Sequence, residues 1–248
     1  MHRPPALRCI VIPTASRKGD MVNIQGFQKL TLLDFPGKMA CTVFTGGCNF
    51  RCPFCHNASL VKDPLCYTSS ADEVLEYLKK RKGILDGVCI TGGEPLLQPD
   101  LEDYIKRIKE LGYSVKLDTN GYLPDRLENL LKTGLIDYVA MDIKSSKNGY
   151  SKAAGIDIDI ERIEKSVELL KNGDIPFEFR TTVVKGIHSV NDFKGIAEWI
   201  KGTKKYFLQK YKDSGDILGD GCDDFSESEM DEFLKIVKAV IPEAEIRG

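Results

Sequence analysis

From residue 22 onward the chain alternates short apolar runs with amphipathic stretches. The apolar runs are 40–45, 87–91, 114–118, 137–142, 177–184 and 206–210. Each is short and rich in Val, Ile, Phe or Leu, the pattern of a strand covered on both faces. Between them lie segments of helical period. Residues 71–81 place Val74, Leu75 and Leu78 on one face. Residues 101–111 do the same with Ile105, Ile108 and Leu111, behind Pro99 and Asp100 at the start. Residues 123–132, 160–170, 191–200 and 226–240 complete the helical series, and Ser226 followed by Glu229 is a capping-box signal.

Consecutive strand-then-helix units predict an α/β fold with a parallel sheet and right-handed crossovers. A closed eight-unit barrel takes about 250 residues. Six units and a leading segment fill the 248 residues here. The expectation is therefore a partial (β/α)6 barrel with helices outside, the alternative being an open doubly wound sheet. Residues 24–35 precede the first unit and are expected to add an edge strand or hairpin. No repeat or linker marks off a second domain, so 22–248 are expected to form one. Residues 1–21 carry Arg3, Arg8, Arg17 and Lys18 with no acid before Asp20. They superficially resemble a transit peptide; the plainer expectation is a disordered leader, or a start placed upstream of the natural Met21.

Charge narrows the partners. The 35 basic and 37 acidic residues leave a net charge of −2, so neither nucleic acid nor an anionic membrane is an expected partner. No run is long enough to span a bilayer. Eight cysteines are too sparse for a disulfide scaffold, and no secretory signal is recognisable, so a reducing cytoplasm is expected. Cys48, Cys52 and Cys55 nevertheless crowd together, which reads as metal binding or catalysis. Cys41 and Cys89 fall in strands and read as core; Cys66 and Cys222 carry no signal.

Four strand ends carry unusual polar sequence. They lead into Thr45-Gly-Gly-Cys-Asn-Phe-Arg-Cys-Pro-Phe-Cys-His56, Thr91-Gly-Gly-Glu-Pro95, Asp118-Thr-Asn-Gly121 and Met141-Asp-Ile-Lys144. In parallel α/β folds the carboxyl ends of strands share one face, and ligands bind there. Any one of these could be a plain turn; four at equivalent positions point to a site. Cys52-Pro-Phe-Cys55-His56 satisfies the haem-attachment pattern, and Cys52 with Cys55 satisfies a redox dithiol, but both leave Cys48 idle. Zinc held by Cys48, Cys52, Cys55 and His56 asks adjacent residues 55 and 56 to reach one ion. An iron–sulfur cube on three thiolates uses all three cysteines and leaves one iron open.

Here a family resemblance becomes specific. Cys-x-x-x-Cys-x-x-Cys after the first strand, with Phe54 before the last cysteine, resembles the radical S-adenosylmethionine (radical SAM) superfamily, and Gly-Gly-Glu-Pro on the next strand matches its second signature. Together with Asp118-Thr-Asn-Gly121 and Met141-Asp-Ile-Lys144, these motifs are similar to the activases of glycyl-radical enzymes. The entry segment Gly26-Phe-Gln-Lys-Leu-Thr-Leu-Leu-Asp-Phe-Pro-Gly37 resembles the long-form activating proteins of anaerobic ribonucleoside-triphosphate reductase. The likeness runs from about Val22 to Tyr211. Some activases carry a cysteine-rich insert after the first motif, which is absent here. Pyruvate formate-lyase activase also lacks it and stays a competitor.

The resemblance implies a [4Fe-4S] cluster on Cys48, Cys52 and Cys55, with S-adenosylmethionine on the fourth iron. One-electron reduction by a flavodoxin- or ferredoxin-type donor would cleave the cofactor to a 5′-deoxyadenosyl radical. That radical would abstract hydrogen from a glycine of a glycyl-radical enzyme subunit, so no side chain is assigned as catalytic; the open side of the barrel would admit the glycine loop. Gly92 and Gly93 would admit the methionyl ammonium, with Glu94 accepting from it. Phe54 and His56 would lie near the adenine. Asp118 and Asp142 would lie near the methionyl carboxylate, which their charge would repel unless a monovalent cation intervenes, and Lys144 would attract it. Arg180 would reach the cofactor or partner, or form a surface ion pair. Many related activases have a His at the end of the sixth strand; Gln209 and Lys210 stand here, and no role is carried over. The alternatives are a radical enzyme for a small molecule and a non-catalytic iron–sulfur electron carrier.

Overall fold

The computed structural model describes residues 22–62, 69–213 and 215–248. The predicted leader and Cys66 lie outside the described residues. The strands are β1 (Ile24–Thr31), β2 (Ala40–Thr45), β3 (Gly87–Gly92), β4 (Ser114–Thr119), β5 (Tyr138–Asp142), β6 (Phe177–Val183), β7 (Tyr206–Lys210) and β8 (Glu245–Arg247). The helices are α1 (Ala58–Lys62), α2 (Ala71–Lys80), α3 (Leu101–Glu110), α4 (Pro124–Lys132), α5 (Tyr150–Ala154), α6 (Ile160–Asn172), α7 (Val190–Trp199) and α8 (Glu227–Lys238). The predicted βα alternation is realised, with parallel pairing from β2 onward in each half of the chain. No helix among the described residues is long and apolar enough to cross a membrane.

The chain divides into two compact units, each with its own strands. The first holds residues up to Asn49, Ser59–Asp118 and Thr133–Asp137. In it β2 and β3 run parallel from Ala40 opposite Gly87 to Thr45 opposite Gly92. β4 continues the parallel ladder beside β3. Val43, Val88, Ile90, Val115 and Leu117 are wholly buried, as strands with two covered faces require. β1 is the predicted hairpin strand, antiparallel to β2 with two register shifts. α2 buries Val74, Leu75 and Leu78, and α3 buries Leu101, Tyr104, Ile105 and Ile108. Each such apolar side chain contributes about 1.5–3 kcal/mol relative to exposure. Asp137, expected to open β5, instead accepts from the Val115 N–H at 2.6 Å and pairs with Lys109 at 2.7 Å. Its carboxylate is spent at the start of β4, so the strand begins one residue later.

The second unit holds Phe50–Ala58, Thr119–Lys132 and Tyr138–Gly248. β5, β6, β7 and β8 are parallel. α7 opens on a capping box of Ser189 and Asp192, and α8 on the predicted box of Ser226 and Glu229. β8 lies beyond the predicted elements. Three residues give no period, and a charge contact holds the strand: Arg247 forks onto buried Glu178 at 2.9 and 3.3 Å, while the Tyr138 hydroxyl donates to Glu178 at 3.0 Å.

Candidate active site

In the first unit the Cys48 loop and the Gly-Gly-Glu-Pro loop leave the sheet from paired residues, Thr45 and Gly92. Main-chain bonds join them at once. The Gly93 N–H donates to the Thr45 carbonyl at 2.9 Å, and the Glu94 N–H to the Gly47 carbonyl at 2.8 Å. The Gln98 amide bridges the same place, donating to the Gly46 carbonyl at 2.9 Å and accepting from the Asn23 N–H at 3.0 Å. This closeness demands glycine. A Cβ on Gly92, whose φ is +125°, would lie 2.2 Å from the Thr45 nitrogen, and one on Gly93 would lie 1.9 Å from the Gly47 carbonyl oxygen. The contact between loops therefore accounts for both glycines before any ligand arrives. Glu94 is wholly buried, and its carboxylate accepts from the Leu96 N–H at 3.1 Å, capping the 3-10 turn Pro95–Leu97. Cys48 is half-buried.

Asp118, at the end of β4, is joined by a residue the sequence motifs did not single out. The Lys116 ammonium is ion-paired to the Asp118 carboxylate, and the lysine side chain is 1% exposed. Cys89, opposite Lys116 on β3, completes the group, with its sulfur 3.9 Å from the ammonium and 3.7 Å from the carboxylate. Cys89 is core, as expected, but core that lines a charge pair. The available signal was a lysine in the apolar run Val115-Lys116-Leu117, in phase with Asp118.

The second unit carries Cys52, Phe54, Cys55 and His56. Their loop is pinned along its length. The Arg51 N–H donates to the Ala154 carbonyl at 2.8 Å, the Cys55 N–H to the Cys52 carbonyl at 3.0 Å, and the Gly219 N–H to the Pro53 carbonyl at 2.9 Å. Burial pushes the Cys52 thiol up to about 11, against the pull of the Lys144 charge. A thiol so placed stays protonated at neutral pH. Phe54 is buried, its ring tilted against His188 at 6.2 Å between centroids. His56 is exposed at its edge; partial burial and then the Lys144 charge lower its pKa.

Asp142 and Lys144 form a charge cluster with Arg180. The Lys144 ammonium lies 3.0 Å from Asp142 Oδ2, and Arg180 Nε and Nη2 each lie 2.9 Å from Oδ1. Burial would raise the Asp142 pKa, but Arg180 and then Lys144 outweigh it and hold the carboxyl well below its usual range. Burial would lower that of Lys144, and Asp142 reverses the direction. Arg180 is thus an ion-pair residue, though a largely buried one rather than a surface one. His188 is a second residue that motif reading missed. Its Nδ1 accepts from the Val184 N–H at 3.0 Å, so Nε2 carries the proton and donates to the Lys144 carbonyl at 2.8 Å. Asp192 accepts from Ser145 at 3.1 Å and Ser146 at 2.6 Å. The segment after β5 is therefore held from both sides, and the Ser189-x-x-Asp192 capping pattern was its only trace in the sequence.

The Radical SAM superfamily profile matches residues 42–200. The chain belongs to the radical SAM superfamily. A Methanocaldococcus jannaschii protein named as a glycyl-radical enzyme activating enzyme is 33% identical over 234 residues, covering 90% of this chain and 95% of its own length. The pyruvate formate-lyase-activating enzyme of Clostridium pasteurianum is 36% identical over 141 residues, covering 54% of this chain and 58% of that protein. Among solved structures, Streptococcus suis SuiB bound to S-adenosylmethionine superposes with a TM-score of 0.66 at 14% identity, over 82% of this chain and 48% of that one. A domain of a pyruvate-formate lyase-activating enzyme from Bacteroides vulgatus gives 0.51 at 22% identity, over 66% and 99%. These neighbours bear out the partial barrel predicted from the βα count.

Superfamily membership brings a [4Fe-4S] cluster and S-adenosylmethionine, and makes this chain an enzyme. Cys48, Cys52 and Cys55 are free cysteines, the donor chemistry such a cluster takes. Among the described residues no three His, Cys, Asp or Glu side chains are grouped to hold a single metal ion. A cube takes each thiolate at a different iron.

Proposed function

We propose that this radical SAM enzyme installs a glycyl radical on a partner enzyme subunit, with anaerobic ribonucleoside-triphosphate reductase as the preferred partner and pyruvate formate-lyase the second. The observation that carries the reading is the near co-extensive match to the M. jannaschii protein named for glycyl-radical enzyme activation, which spans every strand-end motif. The C. pasteurianum match supports the second partner over a shorter stretch.

In this reading Cys48, Cys52 and Cys55 hold the cluster, and the bound cofactor supplies the hydrogen-abstracting radical when a flavodoxin- or ferredoxin-type protein delivers an electron. The chain's own residues bind and orient. Gly92 and Gly93 keep side chains away from the cofactor's amino group, and the buried Glu94 sets the negative end of that loop. Lys144, held forward by His188 and Asp142, presents positive charge to the methionyl carboxylate. Phe54 and His56 bound the adenine side, and the reaction takes place in the cytoplasm.

The test is anaerobic incubation of reconstituted protein, S-adenosylmethionine and reductant with each candidate partner. A glycine-centred doublet in the electron paramagnetic resonance spectrum of the partner is expected. Cofactor cleavage with no doublet on either partner would move the reading to a small-molecule substrate.

A further inference from the structure

The two carboxylates expected beside the cofactor raise a question of charge. Asp118 and Asp142 would both oppose a methionyl carboxylate, and a monovalent cation is the remedy that the family resemblance implies. Each aspartate, however, already has a protein cation. Asp142 has Arg180 and Lys144. Asp118 has Lys116, which lies in the same strand two residues earlier and on the same face.

Burying an ammonium costs several kcal/mol unless a counter-charge and good geometry offset it. Lys116 meets that cost with one partner, Asp118, whose side chain is itself only 12% exposed. Its stem runs through the β3–β4 surface beside Cys89, a thiol that places no second negative charge on it while protonated. The ammonium thus sits at Oδ1 of Asp118, one of the two oxygens this carboxylate has for a K⁺ or Na⁺. The donor set at Asp118 does not fit an added monovalent ion, because its charge is already matched from within the strand.

We propose that Lys116 is a built-in cation: its ammonium supplies Asp118 with the charge that a monovalent ion would otherwise bring, so cofactor binding is indifferent to the monovalent salt. The proposal rests on the reading of Asp118 as a cofactor-site residue. Lys116 acts through Asp118 and is a positioning residue.

The experiment is equilibrium dialysis of S-adenosylmethionine against cluster-reconstituted protein in potassium, sodium or tetramethylammonium chloride at equal ionic strength. Wild type should bind within about twofold in all three, since a factor of two is only a few tenths of a kcal/mol. Lys116→Met should bind about tenfold more weakly in tetramethylammonium and recover in potassium or sodium, as an unmatched carboxylate recruits a small cation. A wild type that needs potassium or sodium overturns the proposal, as does a Lys116→Met variant that no ion rescues. Thermal midpoints of the cluster-free proteins give a second readout: that of Lys116→Met should rise with potassium or sodium relative to tetramethylammonium, and that of wild type should not. If Asp118→Asn and Lys116→Met both leave cofactor affinity untouched, the placement of Asp118 fails, and the midpoints alone then decide for or against Lys116. Should Lys116→Met not fold, the salt comparison on wild type still decides, and the neutral pair Lys116→Met/Asp118→Asn should fold and show no ion dependence.

Discussion

The loop after β3 and the loop after β5 carry corresponding motifs yet are built from different materials. Gly-Gly-Glu-Pro is held by main chain: two N–H groups donate across to the Thr45 and Gly47 carbonyls, and the one charged side chain turns inward to cap a 3-10 turn. Met-Asp-Ile-Lys is held by side chains: Asp142 between Arg180 and Lys144, His188 beneath the Lys144 carbonyl, and Asp192 behind the serines. A backbone-built loop tolerates no added atom, because nothing soft stands between its strands. A charge-built loop tolerates a change of shape but not a change of charge balance. The same position in a fold can thus be rigid for steric or for electrostatic reasons, and the substitutions that damage it differ.

The largest expected effect is at the three cysteines of the loop after β2. Alanine at any one of Cys48, Cys52 and Cys55 should abolish cluster-dependent cofactor cleavage, measured as 5′-deoxyadenosine formed after reconstitution. Retention of full iron, sulfide and activity by any of these variants would remove that cysteine from the cluster.

Next comes steric intolerance. Gly93→Ala places a Cβ within 1.9 Å of a carbonyl oxygen, so the main chain itself must shift. A loss of about 3 kcal/mol or more is expected in urea unfolding of the cluster-free protein, at the upper end for overpacking. Asp142→Asn should cost somewhat less, about 2–3 kcal/mol, since it leaves Arg180 and Lys144 close together without their shared counter-charge. It should also weaken cofactor binding, whereas the charge-reducing pair Asp142→Asn/Arg180→Gln should recover much of the stability.

The smaller effect is one of pH. Burial lowers the His188 pKa below its ordinary value, so the unfolded chain takes up the proton first. The stability from neutral His188 is therefore present above about pH 6.5 and lost as the pH falls below it. His188→Gln should flatten that part of the stability–pH curve. Asp142 shifts the same way at lower pH: its contribution is present above the ordinary carboxylate range and is lost as acid protonates it. The smallest effect is expected at Lys210, whose pairing with the exposed Glu227 spans 3.4 Å; Lys210→Ala should change stability by less than about 0.5 kcal/mol.

The strands and most helices were legible because buried parallel strands and amphipathic helices write their periods directly into the chain. β2 and β7 coincide with the predicted residues at both ends, and β3, β4, β5 and β6 each differ from the prediction by one residue at one end. The short α1, α5 and β8 were not legible, since elements of five or three residues complete no period and depend on their neighbours. Among site residues, the cysteine spacing, the glycines and the aspartates stood out as residue types with local grammar.

By itself the sequence determined the order of βα units, the cysteine loop and the strand-end motifs, because each depends on residues near one another in the chain. Only the tertiary structure decided what those residues spend themselves on. Glu94 turns inward as a cap, Arg180 closes on Asp142 from 38 residues away, His188 holds Lys144 from 44 residues away, and Arg247 reaches Glu178 across 69. These are pairings of charge and hydrogen bond between distant segments, and their strength depends on burial, which no local pattern of residues encodes.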